Sequence, residues 1–168
     1  MIIVFVWAAT QSEQRTRTST PIVRSHPTPT NEHSIDPNNT VHLNGFAYTV
    51  TRARHENSIG FATAEDDTSY LVVDLKVENR MPRTTECYAK FHIFSSEGLR
   101  FNVDTGATWN TGNSHLFGVD ILPKFSKSIT VAFLVPTESL SQPLTLDIED
   151  GSSSGMIRIG LAEALARD

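Results

Sequence analysis

The stretch that decides the fold is YLVVDLKVEN, Tyr70 to Asn79. Leu71, Val73, Leu75 and Val77 fall on one side of an extended strand. Tyr70, Val72, Asp74, Lys76 and Glu78 fall on the other. Apolar residues at period two, with β-branched side chains among them, describe a half-buried antiparallel strand. A helix would spread Asp74, Lys76 and Glu78 around its circumference and bury at least one charge.

Working outward, the flanking segments repeat the pattern. VHLNGFAYTV (41–50) reads as a strand, with Gly45 as a bulge or a point of close approach. SIGFATA (58–64) reads as a short strand before the acidic turn EDDTS. CYAKFHIF (87–94) puts Cys87, Ala89, Phe91 and Ile93 on one side and Tyr88, Lys90 and His92 on the other. Gly98 suits positive φ in the turn after it, and RFNVD (100–104) returns as the second arm of a hairpin. VDIL (119–122), SITVAFLV (128–135), LTLDIED (144–150) and MIRIGL (156–161) complete the set. Many short strands with no long amphipathic helix between them predict an all-β, antiparallel sandwich over 41–168. Only the tail LAEALARD offers a helix.

The N-terminal part differs in kind. IIVFVWAA (2–9) is too short to span a bilayer, which takes about 20 residues. It matches the apolar centre of a secretory signal, with Val6 and Ala8 at small-residue positions, although the usual preceding basic residues are missing. Residues 10–40 are rich in Thr, Ser, Pro and Asn and bury too little to offset their ordering entropy, so they read as a disordered tether. The expected organisation is a signal-like segment at 1–9, a linker at 10–40 and the sandwich from 41. The chain is thus not transmembrane as given.

The 168 residues carry a formal charge of −5. Three positive and three negative charges before residue 41 cancel, so the domain holds the whole excess. An acidic domain without a basic run is a poor partner for nucleic acid or an anionic membrane, since both rest on Lys and Arg. One cysteine, Cys87, cannot form an internal disulfide.

No residue set spells out a reaction. Cys87 and His92 are five apart on one strand, hence on opposite faces, and cannot form a dyad there. Cys87 reads as a small buried hydrophobe. The six histidines lack zinc-site spacing, although His42 and His92 could meet across neighbouring strands. The acidic runs 65–67 and 147–150 lack the spaced pattern of a calcium loop and read as solvated turns. The expectation is no enzyme, no cofactor and no metal.

The best binding candidate is the polar loop 105–118, with Trp109, Asn110, Asn113, His115 and Phe117. An aromatic anchor among adaptable polar groups suits recognition. The competing reading, favoured because large aromatics usually find burial, folds Trp109 back as a lid over the core. Tyr70, Val72 and Tyr88 could also form an exposed face unless a second layer covers them.

The strand order carries a resemblance. YLVVDLKVEN, YAKFHIFSSEGLRF, ILPKFSKSITVAFLVP, LTLDI and IRIGL together resemble a bacterial extracytoplasmic immunoglobulin-like family. That family is catalogued as a domain of unknown function under the name of telomeric-repeat-binding factor 2, and is related to the immunoprotective extracellular antigens. Its features fall on Val73 to Asn79, Ser95 to Gly98, Pro123 with Lys124, and Val131 to Pro136. Two departures are Lys124, where a Gly is usual, and the lack of a lipid-attachment cysteine near the N-terminus. The resemblance implies an immunoglobulin-like sandwich held outside the cytoplasm, secreted, periplasmic or surface-tethered, and no established reaction. The expected role is interaction with a protein or cell-envelope partner. The alternatives are a small-ligand or metal-ion carrier using the histidines, and a two-carboxylate hydrolase, which would need a cleft.

Overall fold

The computed structural model of the protein describes residues 40–114, 118–150 and 156–160. The signal-like run 1–9, the linker 10–40 apart from Thr40, and the tail read as a helix all lie outside the described residues.

The chain opens with β1 (Thr40–Leu43) and β2 (Phe46–Glu56), then a small ribbon of β3 (Ser58–Ile59) and β4 (Ala62–Thr63). The quoted stretch lies in β5 (Thr68–Asn79). Next come β6 (Thr85–Cys87), β7 (Ala89–Ser95), β8 (Arg100–Asn102), α1 (Thr105–Asn110) and β9 (Val119–Ile121). The last elements are β10 (Ser126–Pro136), a short 3-10 helix (Thr137–Ser141), β11 (Leu144–Asp150) and β12 (Met156–Gly160). One sheet has the order β1-β2-β5-β10 and the other β12-β11-β7-β8, with β3–β4 and β6–β9 as two-stranded ribbons. All pairings are antiparallel. The fold is an all-β sandwich.

The core forms where the sequence placed it. Leu71, Val73, Leu75 and Val77 of β5 lie beside Ile129, Val131, Phe133 and Val135 of β10. They pack on Phe91, Ile93, Leu146 and Ile148 of the second sheet. The register Val73↔Val131 and Leu75↔Ile129 aligns the two apolar rows. Each such side chain contributes about 1.5–3 kcal/mol on burial, so a one-residue slip of β5 would be prohibitive.

Several local expectations change. Residues 41–50 are a hairpin rather than one strand: Asn44 (φ 47°) and Gly45 (φ 83°) form its two-residue turn. Two successive positive φ angles are the geometry Asn-Gly favours in hairpins. The close approach at Gly45 is real, since a Cβ there would come within 2.5 Å of Met81 Cγ. The irregularity in β2 falls between Val50 and Arg52. Residues 58–64 turn back on themselves as the β3–β4 ribbon. The run 87–94 is cut at Tyr88, with Cys87 in the β6–β9 ribbon and the rest in β7. Residues 147–150 lie in β11, where Asp147 is fully buried, so this acidic run is no solvated turn. Glu65, Asp66 and Asp67 do form an exposed turn, closed by the Thr68 amide donating to the Glu65 carbonyl.

The outer face of β5 divides in two. Tyr70 and Val72 are buried in a second cluster with Ile59, Ala107 and Ala132, under α1 and the β3–β4 ribbon. They form no exposed face, because the helix and the ribbon supply the covering layer, whereas Tyr88 is exposed. The other half is polar. Arg54 Nη1 donates to Asp74 Oδ2 at 2.6 Å, and the Thr130 hydroxyl to Asp74 Oδ1 at 2.7 Å.

Candidate functional site

β10 has β5 on one side only, so its other edge offers free backbone groups. The segment 103–113 occupies that edge. Val103 bridges to Phe133, and the Asp104 amide donates to the Ala132 carbonyl at 2.8 Å. Asp104 then caps α1 by accepting from the Ala107 amide. The first helical turn drops Thr108, fully buried, beside β10, where its hydroxyl accepts from the Ala132 amide at 2.9 Å. The Asn113 carbonyl takes the Thr130 amide at 3.2 Å. A side chain and a loop thus stand in for part of a missing strand.

This changes the meaning of the loop 105–118. It is not wholly a loop, since 105–110 is helical. The helix buries Ala107 and Thr108 rather than its aromatic residue. Trp109 is 55% exposed and is therefore no lid over the core. Asn110 and Asn113 are exposed beside it, while His115 and Phe117 lie outside the described residues. A Cβ on Gly60 would lie 2.9 Å from Asn110 Cβ, so the β3–β4 tip abuts the end of α1. Phe61, next to Gly60, is 99% exposed. The sequence reading missed Phe61 because it treated 58–64 as a straight strand.

The described histidines, His42, His55 and His92, do not converge. His42 lies on β1 opposite Ala47, and His55 on β2 opposite Leu71. His92 lies in the other sheet, opposite Asn102 and Asp147, so His42 and His92 do not meet. Among the described residues, no group of three or more His, Cys, Asp or Glu side chains is placed to hold a metal ion. Arg100 Nη2 approaches His92 Nε2 at 2.8 Å, and Glu149 Oε2 lies 3.7 Å from the same nitrogen. Burial first, then the Arg100 guanidinium, lowers the His92 pKa below its usual 6.5 against the pull of Glu149. The neutral ring accepts the guanidinium N–H. Cys87 is buried with its thiol 3.3 Å from the Tyr48 hydroxyl. It belongs to the β6–β9 ribbon rather than to the strand that carries His92, so, contrary to expectation, the two do not share one strand.

The far end of β5 is built by one buried amide. The Asn79 side chain donates to the Ile121 carbonyl at 2.7 Å and the Arg83 carbonyl at 2.8 Å, and accepts from the Met81 amide at 2.8 Å. Its backbone donates to the Phe125 carbonyl and accepts from the Lys124 amide. The loop 80–83 and the turn 122–125 are thereby joined. In that turn the Phe125 amide donates to the Leu122 carbonyl at 3.1 Å, and Lys124 has φ 65°. Pro123 sets the first turn position and Lys124 takes the second, which favours glycine. The lysine at a glycine-type position thus leaves the turn shape intact. Leu122 is 55% and Phe125 63% exposed. The sequence singled out neither, because a four-residue turn hides which side chains it presents.

Among the described residues, no helix is long and apolar enough to cross a membrane. Solved structures share the fold. A conserved hypothetical protein of Bacillus anthracis is 14% identical, with a TM-score of 0.58, covering 73% of this chain and 92% of its own. A candidate lipoprotein of Bacillus subtilis is 14% identical with a TM-score of 0.56, covering 76% of this chain but only 40% of its own. An uncharacterized beta-sandwich protein of Clostridium difficile is 11% identical with a TM-score of 0.47, covering 80% of this chain and 99% of its own. No curated protein matches the sequence. A family profile matches residues 35–157, most of the chain and nearly all of the sandwich. The chain belongs to that family, described as a domain of unknown function, DUF4352.

Proposed function

We propose that this chain is a non-enzymatic, extracytoplasmic interaction module, an immunoglobulin-like sandwich that docks on a protein or envelope partner. The observation that carries the reading is the placement of exposed large hydrophobes. Phe61 and Trp109 stand near one end of β5, and Leu122 and Phe125 near the other, all on turns or a helix end. Apolar side chains held in water on short, braced connections suit recognition of a partner. The polar residues of the same regions serve the fold instead: Asn79 joins two loops and Thr108 covers an edge. The separation of Cys87 from His92 speaks against a nucleophile–base pair, and the three described histidines, on β1, β2 and β7, give a carrier role no support.

The immunoglobulin-like part rests on strand order. With β1 set aside, β2-β5-β10 facing β12-β11-β7-β8 corresponds to strands A-B-E facing G-F-C-C′. The extracytoplasmic part rests on the signal-like run at 2–9 and the tether-like composition after it. The description of one fold neighbour as a candidate lipoprotein points the same way. The test is cell fractionation with intact-mass measurement of the recovered protein. An extracytoplasmic product beginning near Ala9 or Thr10 is the expected result. A cytoplasmic product with its N-terminus intact would overturn the reading.

A further inference from the structure

We infer that the end of the sandwich formed by the loop 80–83 and the turn 122–125 docks on an anionic lipid surface. The inference rests on the reading of the chain as a docking module and names its partner. Leu122 and Phe125 project from one four-residue turn, and Lys124 stands between them. Arg80, Arg83 and Lys127, all exposed, surround the turn on segments joined to it. Arg80 and Arg83 lie on the loop that the Asn79 side chain joins to the turn, and Lys127 lies two residues past Phe125 in β10. Four cations face three carboxylates at this end: Glu78, which reaches Arg80 at 3.6 Å, and the cross-strand pair Glu86 and Asp120. Four positive against three negative charges leave this end with an excess of one positive charge, in a chain whose total is −5. The net charge of −5 therefore hides a locally basic end, and the expectation that an acidic domain avoids anionic membranes does not apply to it.

Two apolar side chains flanked by cations match the chemistry of a bilayer interface. The side chains enter the headgroup boundary while Lys and Arg meet lipid phosphates. The Asn79 hydrogen bonds hold both segments before binding, so little ordering entropy remains to be lost. Lys124 adds an independent argument. Its φ of 65° is a conformation that glycine adopts without strain, yet a lysine occupies it. A contact between the ammonium group and lipid phosphate accounts for a lysine at a position where the turn favours glycine.

The experiment is co-sedimentation of the full chain with vesicles of phosphatidylcholine alone and of phosphatidylcholine mixed with phosphatidylglycerol. Binding is expected to the anionic vesicles and to weaken with salt. Lys124→Gly should lower the partition coefficient about fivefold, the loss of one cation, while raising the melting temperature. The double variant Leu122→Ser with Phe125→Ser should lower it about tenfold or more without unfolding the domain, since both side chains are exposed. Equal binding to neutral and anionic vesicles would overturn the inference. So would undiminished binding of both variants, which would mean that another part of the chain, such as the apolar run 2–9, holds the lipid. A complete lack of vesicle binding by a protein that fractionates outside the cytoplasm would remove the lipid partner and leave the docking module standing.

Discussion

The two ends of β5 are finished in opposite ways. At the Thr68 end, apolar surface is covered by apolar surface: Tyr70 and Val72, with Ala132 beside Val72 on β10, cluster with Ile59 and Ala107. At the Asn79 end, two connections are tied by hydrogen bonds from a single buried amide, and their hydrophobes Leu122 and Phe125 face outward. Burial against a helix and a ribbon consumes hydrophobic residues. Bracing by hydrogen bonds leaves Leu122 and Phe125 outward at the Asn79 end, whereas at the Thr68 end Phe61 and Trp109 stay exposed at the tip of the ribbon and the end of the helix.

Removal of the Asn79 side chain should break this contrast most severely. Asn79→Ala deletes three hydrogen bonds and leaves the carbonyls of Arg83 and Ile121 and the amide of Met81 without that partner. A loss of about 3–5 kcal/mol is expected in urea unfolding, and a loss under about 1 kcal/mol would show that the two connections are held by other contacts. At the covered end, Thr108→Val keeps the side-chain shape and removes the acceptor for the Ala132 amide. A cost of about 2 kcal/mol is expected, with increased self-association by light scattering as the β10 edge loosens. Unchanged stability and a monomeric variant would mean that burial of Ala107 alone suffices there.

Smaller effects sharpen the comparison. Lys124→Gly should stabilise the protein by about 1 kcal/mol, because glycine takes φ 65° without a Cβ penalty. A destabilised variant would show that the lysine stem packs usefully in the turn. The smallest effect should come from His92, which lies in neither end. Its folded pKa is lowered, so the unfolded chain binds the proton more tightly. Its contribution to stability should be complete above the unfolded value near 6.5 and fall as pH drops through that value toward the lowered one. The pH dependence of the urea midpoint should flatten in His92→Gln, and an identical slope in both proteins would assign the dependence to other groups.

How much was legible varies along the chain for physical reasons. The alternation in 70–79 and 128–135 identified the core rows, because burial on one sheet face imposes period two. The same alternation placed Tyr70 and Val72 correctly on the opposite face and could not reveal that α1 covers it. Alternation reports which residues share a face, not what lies above it. Asn44-Gly45 carried a hairpin signal that the apolar run around it masked. The segment 105–118 looked like a recognition loop because Thr, Gly and Asn suit loops. Its six-residue helix is stabilised by the Asp104 cap and by Thr108 on β10, both set by tertiary placement.

The sequence by itself determined that this chain is a β protein and which side of each main strand is apolar. These follow from local periodicity, which the backbone enforces within a few residues. Only the tertiary structure decided that Thr108 covers an edge and that Asn79 joins two connections. It alone joined the loop that carries Arg80 and Arg83 to the turn that carries Leu122, Lys124 and Phe125. Those arrangements join residues more than forty positions apart. No local pattern encodes them, because the hydrogen bonds and charges involved meet only once the sheets have formed.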